Sequence, residues 1–285
     1  MKIGVITDCF KLPLEDSIKL AGELGLNGVQ IYATTGEFSP STLSGDQKKK
    51  IKKLLKENGL EISALCGDMG GHGFQIEADN GERIEKTKEI IDLAAEFGVS
   101  VITTHIGVIP ADKSHPRYSV MVDALSKCGS YAAEKGITLA IETGPEDAKT
   151  LLGFVKDAGR GVGVNLDPAN FVMVTGQDPV EAVEMLGEFI VHTHVKDGIM
   201  LKSTDPEIIY DHFATGGIEA LNVADYFIET PLGEGKVDFP AYIEALRKVG
   251  FDGYLTIERE TGKNPIDDIK LAKYTVEKIL KVNEQ

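Results

Sequence analysis

The feature that most constrains the fold is a repeat of short apolar, β-branched runs, each followed by a stretch of helical periodicity. Such runs predict strands, and apolar residues that recur every three or four positions predict helices. The eight predicted strands cover residues 2–7, 28–33, 61–66, 101–107, 138–143, 161–167, 189–197 and 253–260. The predicted helices cover 14–25, 44–59, 80–98, 117–135, 146–159, 178–187, 238–250 and 265–281. Five helices are expected to end at a glycine: Gly25, Gly59, Gly98, Gly136 and Gly250.

Eight strand–helix units in 285 residues predict a single (β/α)8 TIM barrel, with one domain over residues 1–285. A doubly wound open sheet is the alternative, but it usually has fewer strands and, for nucleotides, a GxGxxG loop after the first strand. The first predicted strand instead ends in "TDCFKLP". Residues 199–237, after the seventh strand, form a long connection with apolar and aromatic residues. It is expected to pack as a lid or substrate wall, with room for a short helix.

Net charge and cysteine content indicate which binding partners and which cellular compartment to expect. The net charge is −15, from 45 acidic and 30 basic residues, so nucleic acid and anionic membranes are poor partners. Cys9, Cys66 and Cys128 form no CxxC or metal spacing, which indicates reduced thiols in a cytoplasmic protein. The strand-like start and the lack of an apolar run of about 20 residues predict neither a signal peptide nor a membrane span. The oligomeric state is left open, a homo-oligomer included.

Polar residues follow the apolar runs of the later strands, which is where a TIM barrel carries its active site. These residues are His105 on the fourth strand, Glu142 on the fifth, Asp167 on the sixth, His192 and His194 on the seventh, and Glu258 on the eighth. Burying three carboxylates without compensation costs several kcal/mol each, and a divalent cation would offset that cost. Three carboxylates and one imidazole favour Mn²⁺, Mg²⁺ or Co²⁺ over a structural Zn²⁺ site, with Zn²⁺ as an alternative. Arg259 alternates away from its neighbour and is expected on the outer face.

The segment "VHTHVKDG" ends the seventh strand in a dense group of polar residues. His192 and His194 are two apart and therefore share a face. If that face is the barrel interior, His194 reaches the metal and His192 lies one layer deeper, as a support or a substrate contact. The alternative is that both are ordinary hydrogen-bonded histidines. Lys196 contacts substrate or pairs with Asp197 or a helix end, and His72, after the third strand, lines the pocket or lies in a loop.

Six segments in this order resemble a known family over nearly the whole chain: "THIG", "AIETG", "GVNLDPAN", "HTHVKDG", "PLGEGKVDFPAYIEALRKVGFDG" and "LTIERE". They resemble the xylose isomerase-like barrels of the sugar phosphate isomerase/epimerase group. The resemblance implies one divalent metal, Mn²⁺ first, bound by Glu142, Asp167, His194 and Glu258. It also implies a small carbohydrate substrate. The residues expected to contact that substrate are His72, His105, Asn170, His192 and Lys196.

The resemblance implies a mechanism in which the two glutamates flank the substrate. Glu142 and Glu258 remove and return a proton next to a carbonyl through an enediolate, which gives epimerisation or isomerisation. Hydride transfer, as in metal-dependent aldose isomerases, is the alternative for the proton step. A relative that binds a sugar without turning it over is a further alternative, although the complete set of four candidate ligands argues against it.

Two departures from the related sugar epimerases weaken a specific 3-epimerase assignment. Asn170 stands where they carry a histidine, and Met200 stands where they carry an arginine. The runner-up is therefore a metal-dependent lyase or dehydratase acting on 3-oxo-sugars or inososes. Endonuclease IV, another relative, needs more histidine ligands than this chain offers, and the negative charge opposes DNA binding.

Overall fold

Eight parallel strands close into a barrel in the computed structural model, which describes residues 1–217 and 221–282. The barrel strands are β1 (Lys2–Ile6), β2 (Gly28–Tyr32), β3 (Glu61–Cys66), β4 (Val101–Thr104), β5 (Thr138–Glu142), β6 (Val162–Leu166), β7 (Ile190–Val195) and β10 (Tyr254–Ile257). The barrel closes where β1 pairs with β10, with Lys2 opposite Tyr254. The predicted (β/α)8 TIM barrel is confirmed, and the open-sheet alternative is wrong.

Helices follow the strands as the periodicity predicts. They are α1 (Leu14–Glu23), α2 (Gly45–Glu57), α3 (Glu77–Phe97), α4 (Pro116–Glu134), α5 (Ala148–Ala158), α7 (Pro179–Leu186), α9 (Phe239–Lys248) and α10 (Pro265–Val282). A single turn, α6 (Pro168–Asn170), continues into a π-helical turn at Phe171–Thr175. The five glycines predicted to end helices all have positive φ, and Gly98, with φ of 72°, is the left-handed cap of α3.

Strand alternation divides the side chains between two environments. On β5, Leu139 and Ile141 belong to the main apolar core together with Phe154 of α5, whereas Ala140 and Glu142 lie outside that cluster. This is the alternation expected of a strand with one face towards the helices and one towards the barrel axis. The axial face of the barrel therefore holds the polar side chains that the apolar layer excludes.

The connection between β7 and α9 carries more structure than the sequence predicts. It contains a short helix, α8 (Pro206–Ala214), as expected. It also contains an antiparallel pair formed by β8 (Asp197–Met200) and β9 (Phe227–Thr230), with Asp197 opposite Thr230. The sequence does not reveal this pair because its two four-residue strands are far apart and no hairpin turn joins them.

Two further observations concern the cysteines and the apolar content of the helices. Cys9, Cys66 and Cys128 are buried and free. Within the described ranges, no helix combines the length and the apolar content that a bilayer crossing requires.

Candidate metal centre

Four buried side chains converge at the carboxyl ends of β5, β6, β7 and β10. They are Glu142, Asp167, His194 and Glu258, and one ligand atom from each lies within 4.8 Å of all the others. Nδ1 of His194 lies at their centre, 3.0 Å from Oε2 of Glu258, 3.3 Å from Oε1 of Glu142 and 3.5 Å from Oδ2 of Asp167. The structure thus brings together the four residues predicted as metal ligands.

The polar atoms of this cluster fit a metal ion better than they fit one another. Oδ2 of Asp167, Nδ1 of His194 and Oε2 of Glu258 are buried, and none has a hydrogen-bond partner among the described residues. Buried polar atoms are normally satisfied, so a group of unsatisfied ones facing each other needs an explanation. Ligand atoms about 2.0–2.4 Å from one ion lie at most about 4.8 Å apart. The four residues can therefore hold one ion.

The charge of the cluster also matches a divalent ion. Nζ of Lys196 lies 3.3 Å from Oε2 of Glu258 and 4.0 Å from Oδ2 of Asp167. Burial opposes the charge of Lys196, but Glu258 and Glu260 outweigh it and raise the pKa of the lysine well above its ordinary value. Burial also opposes the charge of His194, but Glu258 and Glu142 outweigh it and raise the pKa of the imidazole well above its ordinary value, so without an ion the imidazole carries a proton. A bound divalent ion would replace that proton, and the remaining three carboxylates and one ammonium would leave two negative charges for it to neutralise.

The two glutamates are held in the ionised form. Burial alone would raise the pKa of Glu142, but His105 and His194 outweigh burial and leave it below its ordinary value. Lys196 and His194 do the same for the pKa of Glu258. Both carboxylates are therefore able to accept a proton or coordinate a metal at neutral pH.

A glutamine below the cluster sets the orientation of the central imidazole. Oε1 of Gln30, on β2, accepts from Nε2 of His194 at 3.2 Å and from Nε2 of His192 at 3.0 Å. Nε2 of Gln30 donates to Oγ1 of Thr103, and Oε1 faces the two histidines. Because Nε2 of His194 faces Gln30, Nδ1 is the nitrogen that faces the three carboxylates and would bind the ion.

Local sequence fixes the position of Asp167. Oδ1 of Asp167 caps the turn that follows it, accepting from the backbone N–H of Ala169 at 2.7 Å and of Asn170 at 3.0 Å. Pro168 occupies the first position of that turn, where its missing N–H costs nothing. One carboxylate oxygen is thereby held by the backbone, and Oδ2 is left to face the cluster.

The predicted substrate contacts divide into two groups. A cavity of about 760 Å³ opens above the cluster, and His105, Asn170 and Lys196 line it. Oε2 of Glu142 lies 3.7 Å from Nε2 of His105, and the amide of Asn170 donates to the carbonyl of Thr143 at 2.9 Å. Lys196 pairs with Glu258 and Glu260, and not with Asp197 as one reading of the sequence proposed.

Two of the predicted substrate contacts do not line this cavity. His192 is buried one layer below His194, and burial lowers its pKa to about 3, so it is a neutral support for Gln30. His72 lies towards the protein surface, with Nδ1 3.8 Å from Oδ1 of Asp211. Neither histidine is among the residues that line the cavity, and a substrate contact by either one stays a prediction.

Sequence reasoning missed an ionic clamp beside Glu258. Arg259 points away from the cluster as predicted, but it is buried and pairs with Glu229 of β9 at 3.0 Å and Asp268 of α10 at 2.8 Å. Glu229 also accepts from the backbone N–H groups of Glu260 and Thr261, both at 3.0 Å. The clamp ties the β8–β9 pair to the end of β10. No local motif predicts it, because Glu229 and Arg259 lie on separate segments of the sequence.

Glu146 is a second residue that the sequence did not single out. Its side chain is buried, Oε2 has no hydrogen-bond partner among the described residues, and burial raises its pKa to about 8. Between about pH 4.5 and 8, the folded protein therefore holds a proton that the unfolded chain has released, so stability falls as pH rises through that window.

We expect Glu146→Gln to stabilise the protein by about 1–3 kcal/mol at pH 9 and by less than about 1 kcal/mol at pH 5, because the amide mimics the protonated acid. Urea unfolding at the two pH values measures the difference. Glu134→Gln, at an exposed position of α4, is the control and should show no such pH dependence. Equal effects of the two substitutions would show that Glu146 is ionised in the folded protein.

Fold and site together define a class: parallel eight-stranded barrels with three carboxylates and a histidine gathered at the carboxyl ends of the strands. The chain belongs to the xylose isomerase-like TIM barrel family, whose family model matches residues 18–280. The predicted family is confirmed.

The comparisons connect the chain to enzymes with different reactions. It is 22% identical to fructoselysine 3-epimerase of Shigella flexneri, with 92% of this chain and 91% of that protein covered. It is 24% identical to 3-dehydroshikimate dehydratase of Bacillus anthracis, with 87% of each covered. The crystal structure of a xylose isomerase domain protein from Planctomyces limnophilus superposes with a TM-score of 0.79 at 26% identity, covering 98% of this chain and 96% of that one.

Proposed function

We propose that the protein is a divalent-metal-dependent enzyme that isomerises or epimerises a sugar or sugar phosphate. The observation that carries this proposal is the convergence of Glu142 and Glu258 on one cavity, with His194 and Asp167 within 4.8 Å of both. Two ionised glutamates beside one substrate-sized space suit a reaction in which one carboxylate takes a proton and another returns one. The epimerase relative supports the same reaction class.

The residues of the chain divide the work between them. Glu142, Asp167, His194 and Glu258 would hold the ion, which when bound supplies Lewis-acid polarisation of a substrate carbonyl and its neighbouring hydroxyl. Glu142 and Glu258 exchange a proton with the carbon next to that carbonyl, through an enediolate. Lys196 keeps Glu258 ionised, and Gln30 holds the imidazole of His194 with Nδ1 towards the carboxylates.

The donor set supports Mn²⁺ as the native ion, with Mg²⁺, Co²⁺ and Zn²⁺ as alternatives, because oxygen ligands dominate and one imidazole is present. We infer that the enzyme is cytoplasmic, and the three free, buried cysteines support this location. We also infer that its substrate is a small carbohydrate.

A metal-dependent lyase or dehydratase is the second candidate. Asn170 stands where a substrate-binding histidine is expected in the epimerases, and its amide is already bonded to Thr143. A 3-oxo group acidifies the neighbouring C–H, so the same glutamates would serve an elimination. The dehydratase relative supports this alternative.

Metal content tests the site directly. Protein purified without chelator should contain about one divalent ion per chain, and Asp167→Ala should lose most of it, because the buried carboxylate supplies one of four ligands. Asp68→Asn, which removes a carboxylate from the same cavity outside the cluster, is the control and should retain the ion. Full occupancy in Asp167→Ala would remove that residue from the site.

Solvent exchange tests the reaction. Metal-loaded protein incubated in D₂O with free sugars, sugar phosphates, inososes and 3-oxo-glycosides should place deuterium at the carbon next to the carbonyl of its substrate. NMR distinguishes an epimer, a positional isomer and an elimination product. Release of an eliminated group would select the lyase, and the absence of any exchange or turnover across the panel would contradict both candidates.

A further inference from the structure

The cavity above the cluster has two chemically different ends. Its floor is formed by charged and polar side chains of the barrel, among them Glu142, His194, Lys196 and Glu258. Its outer wall comes largely from the connection between β7 and α9, and most of the described residues there are apolar, including Ile209, Phe213, Val223 and Phe227. The π-helical turn adds Met173 and Val174 to the same lining.

Part of the apolar wall is exposed, whereas Ile209 and Met173 are buried. Phe213 is 59% exposed and Ile228 is 40% exposed, although both line the cavity. Large apolar side chains that remain exposed around a binding site commonly mark a contact surface for a ligand. The floor of the same cavity indicates that this ligand also carries a polar end.

The charged groups on the wall already have partners. Both oxygens of Glu229 accept from the backbone beyond β10, and its side chain is only 5% exposed. Asp211 lies beside His72. Among the described residues of the wall, both carboxylates are thus already paired and are less available to the outer hydroxyls of a sugar.

The size of the cavity also indicates a ligand larger than a monosaccharide. Its volume of about 760 Å³ is in the range that accommodates drug-sized ligands, and a monosaccharide is smaller than these. A free sugar held on the floor would turn its remaining hydroxyls towards Phe213 and Phe227, where lost hydration is poorly replaced. An aromatic or aliphatic group in that place would gain from burial against the same rings.

We propose that the substrate is a sugar conjugate with an apolar group, such as an aryl or alkyl aglycone, at the end remote from the reacting carbon. The inference rests on the proposed function, because the sugar end is assigned to the carboxylate–histidine floor. The described residues of this connection that line the cavity then act as the aglycone site, with Phe213 and Phe227 as its main contacts.

Matched ligand pairs test the proposal on the full chain loaded with Mn²⁺. Each pair shares one sugar and differs only in a methyl or a phenyl aglycone: the β-D-glucopyranosides, the β-D-galactopyranosides, the α-D-mannopyranosides and the 3-oxo-glucosides. Calorimetry should give at least one pair in which the phenyl ligand binds roughly tenfold tighter or more. Phe213→Ala should remove most of that gain while leaving the methyl ligand unchanged. Tyr274→Ala, an exposed aromatic residue of α10 outside the cavity, is the control.

The results separate this proposal from the proposed function. If no phenyl ligand in the panel binds more tightly than its methyl partner, including the case in which none binds, the aglycone site is wrong. It is equally wrong if the gain survives Phe213→Ala. In the 3-oxo-glucoside pair, whose members carry the carbonyl that the mechanism requires, a phenyl preference without solvent exchange or turnover would keep the aglycone site and contradict the enzyme mechanism. Turnover of methyl and phenyl ligands with equal kcat/KM would keep the mechanism and contradict the aglycone site.

Discussion

Glu142→Gln and Glu258→Gln should each lower kcat by about 10²–10⁴-fold, while the fold survives. The amide keeps the shape of the side chain and still offers an oxygen, but it does not accept a proton at neutral pH. Both residues have depressed pKa values in the folded protein, so each is an ionised base in the wild type. Steady-state kinetics with the substrate found by the solvent-exchange screen measures the loss, and Glu134→Gln is the surface control.

Lost turnover alone does not distinguish a proton carrier from a ligand, so the solvent-exchange behaviour of each variant decides. If Glu142 takes the first proton, Glu258→Gln should still exchange deuterium into the substrate without forming product, and Glu142→Gln should do neither. The opposite assignment reverses the two results. Product formed by the wild type without solvent deuterium, under conditions where the base exchanges freely, would indicate hydride transfer instead.

The second large effect is expected at Asp197, which directly follows Lys196. Its buried carboxylate accepts four backbone N–H groups, from Gly198 and Val237 at Oδ1 and from Gly233 and Gly235 at Oδ2, at 2.9–3.1 Å. Asp197→Asn replaces one acceptor oxygen by a donor that faces donors. We expect a loss of at least about 3 kcal/mol in unfolding free energy, because the displaced N–H groups have no other acceptor and charge-assisted bonds are lost.

Urea unfolding measures this loss, and hydrogen exchange at Gly233 and Gly235 locates it. Asp238→Asn is the matched control, because Asp238 is an exposed helix cap and asparagine caps a helix as well. A change below about 0.5 kcal/mol is expected there. A similarly small change in Asp197→Asn would show that the loop holds its shape without the carboxylate.

The barrel and the four cluster residues are predictable from sequence because both depend on local periodicity. Glu142, Asp167 and Glu258 each end an apolar run, and parallel strands of a closed barrel bring their carboxyl ends to one rim. His194 follows from its spacing to His192 on the same strand. These signals lie within single strands, so no knowledge of long-range contacts is needed to read them.

The supporting interactions are not predictable in this way. Gln30 is 164 residues from His194 in the chain, and an isolated glutamine in a strand carries no signal of its partner. The clamp of Glu229 and Arg259, and the pair formed by β8 and β9, likewise depend on segments that meet only after the barrel closes. Residue type alone does not place a histidine at the cavity. His192 is buried below the cavity and His72 lies near the protein surface, and this difference is visible only in the fold.

The carboxylate of Asp197 joins the beginning and the end of the long connection after β7, since it holds Gly198 on one side and residues 233–237 on the other. The N–H of Lys236 donates to the carbonyl of Gly198 at 3.0 Å and reinforces this junction. The segment between these two fixed ends is expected to tolerate changes in length, because doubling the length of a loop whose ends are fixed costs only about 0.6 kcal/mol. Insertions, deletions or grafts in this segment that spare Glu229 and its contacts beside Glu258 would reshape the mouth of the barrel without moving the carboxylates below it. Substrate range can therefore diversify, by evolution or by engineering, separately from the chemistry at the strand ends.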